Sequence, residues 1–253
     1  MNDALALLNL EKLGPYLAEH ALELGTIESA EKFSGGQSNP TFRLETSTGT
    51  FVLRRQPPGK LLKSAHAVDR EYRVMKALAG SSVPVPRVFY LCEDTEVIGS
   101  KFFLMEFCDG RIFWDASLPG LDQEERGLIY DQTNQVLANL HSLDVEAAGL
   151  ADYGHPGNYF ERQYQRWKSQ YEASETRTIA SMNQLIEWLG ANLPPDDGRV
   201  ALVHGDYRLD NLVFHHERPE IIAVLDWELS TLGHPLADLA YQCMMLRMPA
   251  DAR

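Results

Sequence analysis

The stretch LVHGDYRLDNLVFHHERPEIIAVLDWE, Leu202 to Glu228, reads as strand, tight loop, strand, turn, strand. Leu212-Val213-Phe214 and Ile221-Ile222-Ala223-Val224-Leu225 are apolar runs rich in β-branched residues. Between them, His216-Glu217-Arg218-Pro219-Glu220 is polar and holds a proline, which suits a hairpin turn. Closing that hairpin returns Asp226 to the neighbourhood of Asn211. Asp206 precedes Asn211 by five positions, and His204 precedes Asp206 by two. One short segment thus gathers a carboxylate base and two further side-chain oxygens around a single point.

The Asp–Asn spacing is that of a kinase catalytic loop. Phosphoryl transfer requires positioning and charge neutralisation more than covalent chemistry. A carboxylate must orient the acceptor hydroxyl or take its proton, and Asp206 fits that role. Mg²⁺ takes hard oxygen ligands, usually one or two carboxylates together with substrate phosphates. Asn211 and Asp226 supply such oxygens. Any one of these residues alone could be a turn or cap residue; the set at this spacing points to the chemistry.

The segment resembles the catalytic motif of the aminoglycoside phosphotransferase and choline kinase group. The resemblance rests on His204-Gly205-Asp206, Asn211, Asp226-Trp227-Glu228 and the run Gly233-His234-Pro235-Leu236-Ala237-Asp238-Leu239-Ala240. SGGQSNPTF, FVLRRQPPGKLL, SAHAVDREYRVMKAL and LDWELSTLGHPLADLAYQC are similar to the branch of phosphotransferase domains fused to acyl-CoA dehydrogenases. It runs from about Phe33 to Met248. It implies an α+β, two-lobed protein-kinase-like fold and an ATP- and Mg²⁺-dependent kinase acting on a small-molecule hydroxyl. The branch further suggests a hydroxyacyl-CoA or similar metabolite as acceptor and a relation to acyl-CoA dehydrogenase.

The pattern along the chain agrees with an antiparallel-sheet N-lobe over 1–108 and a mainly helical C-lobe over 109–253. Ala4 to Leu22 reads as an amphipathic helix pair broken near Gly14-Pro15. Thr41 to Leu44 and Thr50 to Arg54 flank a hairpin signal, Ser47-Thr48-Gly49. A helix is expected over Ala65 to Ala79, with strands over Val88 to Cys92 and Lys101 to Phe107. Beyond Asp109-Gly110 helical periods dominate. One stripe is Leu128, Ile129, Thr133, Val136, Leu137 and Leu140. Another is Phe160, Tyr164, Trp167 and Tyr171, and a third is Met182, Leu185, Ile186 and Leu189. Tyr159, Trp167 and Tyr171 are expected in the core. Related enzymes continue with further helices past the equivalent of Arg253. The C-lobe is therefore expected to be incomplete, with the stripe Tyr241, Met244, Met245 and Met248 losing its cover.

On the nucleotide side, Gly35-Gly36 lies between strand-like runs. It reads either as a plain turn or as a loop whose backbone N–H groups approach phosphates. Glu71 falls inside the apolar stripe of its helix, with Val68, Tyr72, Met75, Leu78 and Ala79. An inward-facing acid needs a partner unless it snorkels to water. The resemblance pairs it with a cation on the third strand, where Arg54 replaces the usual Lys; an Arg54–Glu71 ion pair is predicted. Arg55 should point to the opposite face and be solvated. Phe102 to Gly110 resembles the strand and hinge that hold adenine, which implies Met105 against the base and hydrogen bonds from the Glu106 carbonyl and the Cys108 amide.

A net charge of -13 argues against a nucleic-acid partner. The three cysteines lie far apart, which suits a reducing cytoplasm. No stretch is apolar for long enough to span a membrane. His215 and His216 are adjacent on a strand end and should face opposite ways, which disfavours a zinc site. His204 is expected to pack within the catalytic loop, Asp238 to brace it, and Arg208 and Asp210 to be solvated or interlobe residues. A non-catalytic, nucleotide-binding or regulatory kinase-like module is the alternative to an enzyme.

Overall fold

The structure, a computed structural model, describes residues 8–33, 39–59 and 66–248. The Gly35-Gly36 loop lies outside the described residues. Strands β1 (Ile27–Lys32), β2 (Thr41–Thr46), β3 (Gly49–Arg55), β4 (Val88–Cys92) and β5 (Phe102–Glu106) form one antiparallel sheet in the order β1-β2-β3-β5-β4. Both faces of this sheet are covered. Helix α1 (Leu10–His20) sits over one face, where Leu13 and Leu17 join Phe42, Leu44, Phe51, Leu53, Phe102 and Leu104. Helix α2 (Val68–Leu78) covers the other, with Val74, Met75 and Leu78 against Val52, Phe103 and Met105. The doubly buried centre explains why Phe102 to Met105 is apolar without alternation. Leu53 is fully buried there, and its truncation to Ala would cost about 3 kcal/mol.

Two expectations are corrected by this layering. The helix break at Gly14-Pro15 does not occur, because α1 runs through Pro15. A proline in a helix forfeits a single backbone bond; the apolar face made by Leu13 and Leu17 compensates by binding the sheet. Arg55 is not solvated but 2% exposed. It does lie on the face opposite Arg54, and α1 covers that face.

Helix α3 (Gln123–His141) opens with a capping box, in which Asp122 accepts from the Glu125 amide while Glu125 accepts from the Asp122 amide. Its stripe of Ile129, Thr133, Val136, Leu137 and Leu140 is buried, whereas Leu128 stays exposed. Helices α4 (Tyr159–Ser174) and α5 (Ala180–Ala191) depart from expectation, since neither holds a buried residue. Trp167 is 56% exposed and Trp188 61%. The helical periods are present but only partly covered: Tyr164 packs on Gly190 and donates to the Ile186 carbonyl, and Phe160 meets His234, while Trp167 faces solvent. Strand β6 (Ala201–Val203), the hairpin β7 (Leu212–Phe214) and β8 (Ile221–Val224), and β9 (Thr231–Gly233) build the loop-rich centre, with β6 paired to β9. The final helix, α6 (Leu236–Arg247), leaves Met244 43% exposed and Tyr241 and Met245 half-buried.

Candidate active site

Hairpin pairing assembles the site. Leu212 faces Val224 in the β7–β8 ladder, and Leu225 donates its amide to the Asn211 carbonyl at 2.8 Å. Asn211 and Asp226 therefore emerge side by side at the open end of the hairpin. Asp226 adopts a left-handed conformation (φ 64°), which turns the chain sharply after β8. Asn211 directs its side-chain NH₂ at Asp206, 2.9 Å from the backbone oxygen and 3.1 Å from Oδ2. Its carbonyl oxygen is then the amide's remaining ligand-type atom.

Asp206 is held from several sides. Arg208 Nε is 3.4 Å from its Oδ1 while Arg208 Nη2 donates to Asp210 at 2.6 Å. Tyr241 hydrogen-bonds its carboxylate; burial and that carboxylate push the Tyr241 phenol up. Beneath the loop, fully buried His204 joins Leu225 O through Nε2 at 2.8 Å and accepts the Asp206 amide on Nδ1. Buried Asp238 accepts the His204 and Gly205 amides at 2.8 Å each and lies 3.0 Å from His141 Nε2. Burial alone would raise the Asp238 pKa, but His141, His204 and the two amides hold it below the ordinary value. Gly205 has φ +86°, and a Cβ there would lie 2.8 Å from Leu229 O.

Arg54 reaches this centre from β3. Its guanidinium is 2.8 Å from Glu71, touches Asp226 and lies 3.8 Å from Glu228. The predicted Arg54–Glu71 ion pair is present, with Glu71 1% exposed. Three carboxylates share one cation, so desolvation by burial, with Asp226 and Glu228 nearby, pushes Glu71 up to about 7 despite Arg54. Those same carboxylates outweigh burial and hold Arg54 above its ordinary value. Asn39 completes the cluster. Its NH₂ donates to Glu71 at 2.9 Å and Glu228 at 3.3 Å, and its oxygen is 3.1 Å from His66 Nδ1.

The segment after β5 is tied to the same hairpin. Arg111 and Phe214 exchange backbone hydrogen bonds, and a Cβ on Gly110 would lie 2.3 Å from Phe214 O. No side chain fits there without backbone movement. Glu106 takes the Arg87 amide on its carboxylate, and burial raises the Cys108 thiol to about 12, which leaves it inert. His216 pairs with Asp109 at 3.3 Å, away from Asp206. Sequence reasoning did not assign roles to Asn39, His66 or Glu228. Glu228 carried a signal, a second acid two residues after Asp226; Asn39 in a turn-rich segment carried none.

A model of the phosphotransferase enzyme family matches residues 29–253. The chain belongs to the phosphotransferase enzyme family. Acyl-CoA dehydrogenase family member 10 of Mus musculus is 52% identical over 220 residues, covering 87% of this chain and 20% of that protein. The chain thus spans about a fifth of that relative's length. A Ralstonia eutropha JMP134 structure, provisionally described as an aminoglycoside phosphotransferase, is 48% identical with a TM-score of 0.81. The match covers 95% of this chain and 70% of that one. The aminoglycoside phosphotransferase APH(4)-Ia, solved with ADP and hygromycin B, is 17% identical with a TM-score of 0.66, over 91% of this chain and 75% of that chain. At that identity the likeness is one of fold, and this phosphotransferase has the protein-kinase-like fold.

Proposed function

We propose that this phosphotransferase transfers the γ-phosphoryl group of ATP to a hydroxyl of a small molecule, with Mg²⁺ as cofactor. The observation that carries the reading is the meeting of Asp206, Asn211 and Asp226 at one end of a hairpin, with Arg208 beside Asp206 and Arg54 reaching Asp226 from the sheet. In this reading 1–108 is the nucleotide lobe and 109–253 the acceptor lobe.

The donor set suits Mg²⁺. Asn211 and Asp226 offer hard oxygens, and one Arg54 against Glu71, Asp226 and Glu228 leaves an excess of negative charge. No group of three or more His, Cys, Asp or Glu among the described residues forms a self-sufficient metal cage. That fits an ion completed by substrate phosphates. Bound between Asn211, Asp226 and the phosphates, Mg²⁺ would neutralise charge on the phosphoryl oxygens. Asp206 accepts the acceptor's hydroxyl proton as that oxygen bonds to the γ-phosphorus and the bond to ADP breaks. Arg54, held by Glu71, faces the nucleotide phosphates. The Glu106 carbonyl and Cys108 amide hold adenine, so side-chain changes there test the contact poorly.

The mouse relative's name supports a hydroxyacyl-CoA-type acceptor and a functional link with an acyl-CoA dehydrogenase. Hygromycin B, the ligand of one distant fold neighbour, is a weaker guide. No described helix is long and apolar enough to cross a membrane. The three widely spaced cysteines favour a cytoplasmic protein, and the net charge of -13 disfavours a nucleic-acid partner.

Thermal shift with ATP, with and without Mg²⁺, followed by an ATP-consumption assay across hydroxyl compounds, tests the reading. Stabilisation should require Mg²⁺ and vanish in Asp226→Ala, and turnover should accompany it. Nucleotide binding with no turnover on any alcohol would favour the non-catalytic module.

A further inference from the structure

Beside the catalytic loop lies a cavity of about 1170 Å³, walled by Gly205, Tyr241, Ser230 and the inner side of α4. Its acids are engaged elsewhere. Asp152 pairs with Arg73, Glu228 with Asn39 and Arg54, and Asp238 with the loop amides and His141. Its arginines are placed differently. Arg70 donates to the carbonyls of Tyr153 and Ser230, and Arg162 to that of His155, while Arg166 lies 5.4 Å over the Trp167 ring. Arg43, Arg54, Arg73, Arg87, Arg199, Arg208 and Arg218 each hold a carboxylate. Among the described residues, Arg70, Arg162 and Arg166 hold none; Arg111 and Arg126 also donate only to backbone carbonyls, but they do not line this cavity. The lining sets three arginines against three carboxylates that other groups already engage, and in a chain of net charge -13 that arrangement favours an anion.

We propose that the phosphoryl acceptor binds here as an anion, its carboxylate or phosphate on Arg162 and Arg166 and its carbon skeleton along Trp167. The proposal rests on the kinase reading above and deepens it. A guanidinium fork matches carboxylate and phosphate oxygens in pairs. The half-exposed Trp167 ring supplies a flat apolar face next to them. Arg162, Arg166 and Trp167 on α4 line the same cavity as Gly205, the residue before Asp206, and Tyr241, which meets the Asp206 carboxylate. A polycation would meet like charge.

Calorimetric titration distinguishes the possibilities, using hydroxy acids of graded chain length, their coenzyme A thioesters, the matching diols, and kanamycin. The anionic members should bind most tightly. A thioester advantage identifies phosphate as the recognised group, and a free-acid advantage identifies carboxylate. The double variant Arg162→Gln/Arg166→Gln should weaken anion binding and raise KM by roughly tenfold or more, with kcat nearly unchanged. Lysine at both positions should restore part of the loss. Diols or kanamycin binding as tightly as every anion, or a double variant that binds anions like the wild type, would overturn the proposal. Anion binding lost in the double variant, with no phosphoryl transfer by either protein, would remove the kinase reading and leave the anion site standing.

Discussion

Arg54 and Asp226 are 172 residues apart in sequence and in direct contact, guanidinium to carboxylate. The same guanidinium binds Glu71 at 2.8 Å, so one buried cation joins the sheet, α2 and the β7–β8 hairpin. Arg54→Met would leave these acids uncompensated. We expect a loss of about 3 kcal/mol in denaturant unfolding and weaker ATP binding. An unchanged unfolding midpoint would show that the cluster has no energetic weight.

Glu71 should make stability fall as pH rises. Its carboxyl shifts from the ordinary 4.5 to about 7 in the folded state because burial outweighs Arg54. The folded protein thus binds more protons than the unfolded chain between those values, and the slope of stability against pH is negative there. This contribution is fully present below about pH 4.5 and lost as pH rises through about 7. Unfolding measured across that window without metal should show the decline, and Glu71→Gln should flatten it.

Asp206→Asn keeps the shape of the side chain and removes its basicity. We expect kcat to fall by roughly a hundredfold or more with Mg·ATP affinity nearly intact. Turnover close to wild type would assign the proton to another group.

Asp238 touches no reacting atom in the proposed mechanism; it accepts the two amides that lead into Asp206. Asp238→Ala strands those donors and His141, so a destabilisation of about 2 to 3 kcal/mol is expected. Because its pKa is depressed, the stabilisation is present above the ordinary carboxylate range and disappears on acidification. Acid unfolding of the variant should accordingly be shallower. Asp238→Asn, which keeps one acceptor, should recover part of the stability.

The geometry of the Leu202 to Glu228 segment was legible because its structure is local. Leu212 to Val224 needs only two apolar runs and a polar turn to close, and closure alone brings Asp226 to Asn211. The Arg54–Glu71 pair was legible in part: helical period marked Glu71 as facing inward, strand alternation put Arg54 and Arg55 on opposite faces, and the family resemblance named Arg54 as the partner. Both periodicities are properties of a few consecutive residues.

What lies across each face is a different matter, because periodicity marks an apolar side without naming its cover. Arg55 is buried because α1 lies over it, while Trp167 and Leu185 sit in stripes of the same helical spacing as that of α3 and remain exposed. Asn39, His66 and Glu228 meet around Glu71 from three separated segments. Arg70, Arg162 and Arg166 share one cavity wall only after α2 and α4 have packed. The chain by itself determines which residues can do chemistry and how the hairpin presents them. Long-range packing, which closes loops that no local propensity encodes, selects their partners, their solvation and the charges that share a cavity wall.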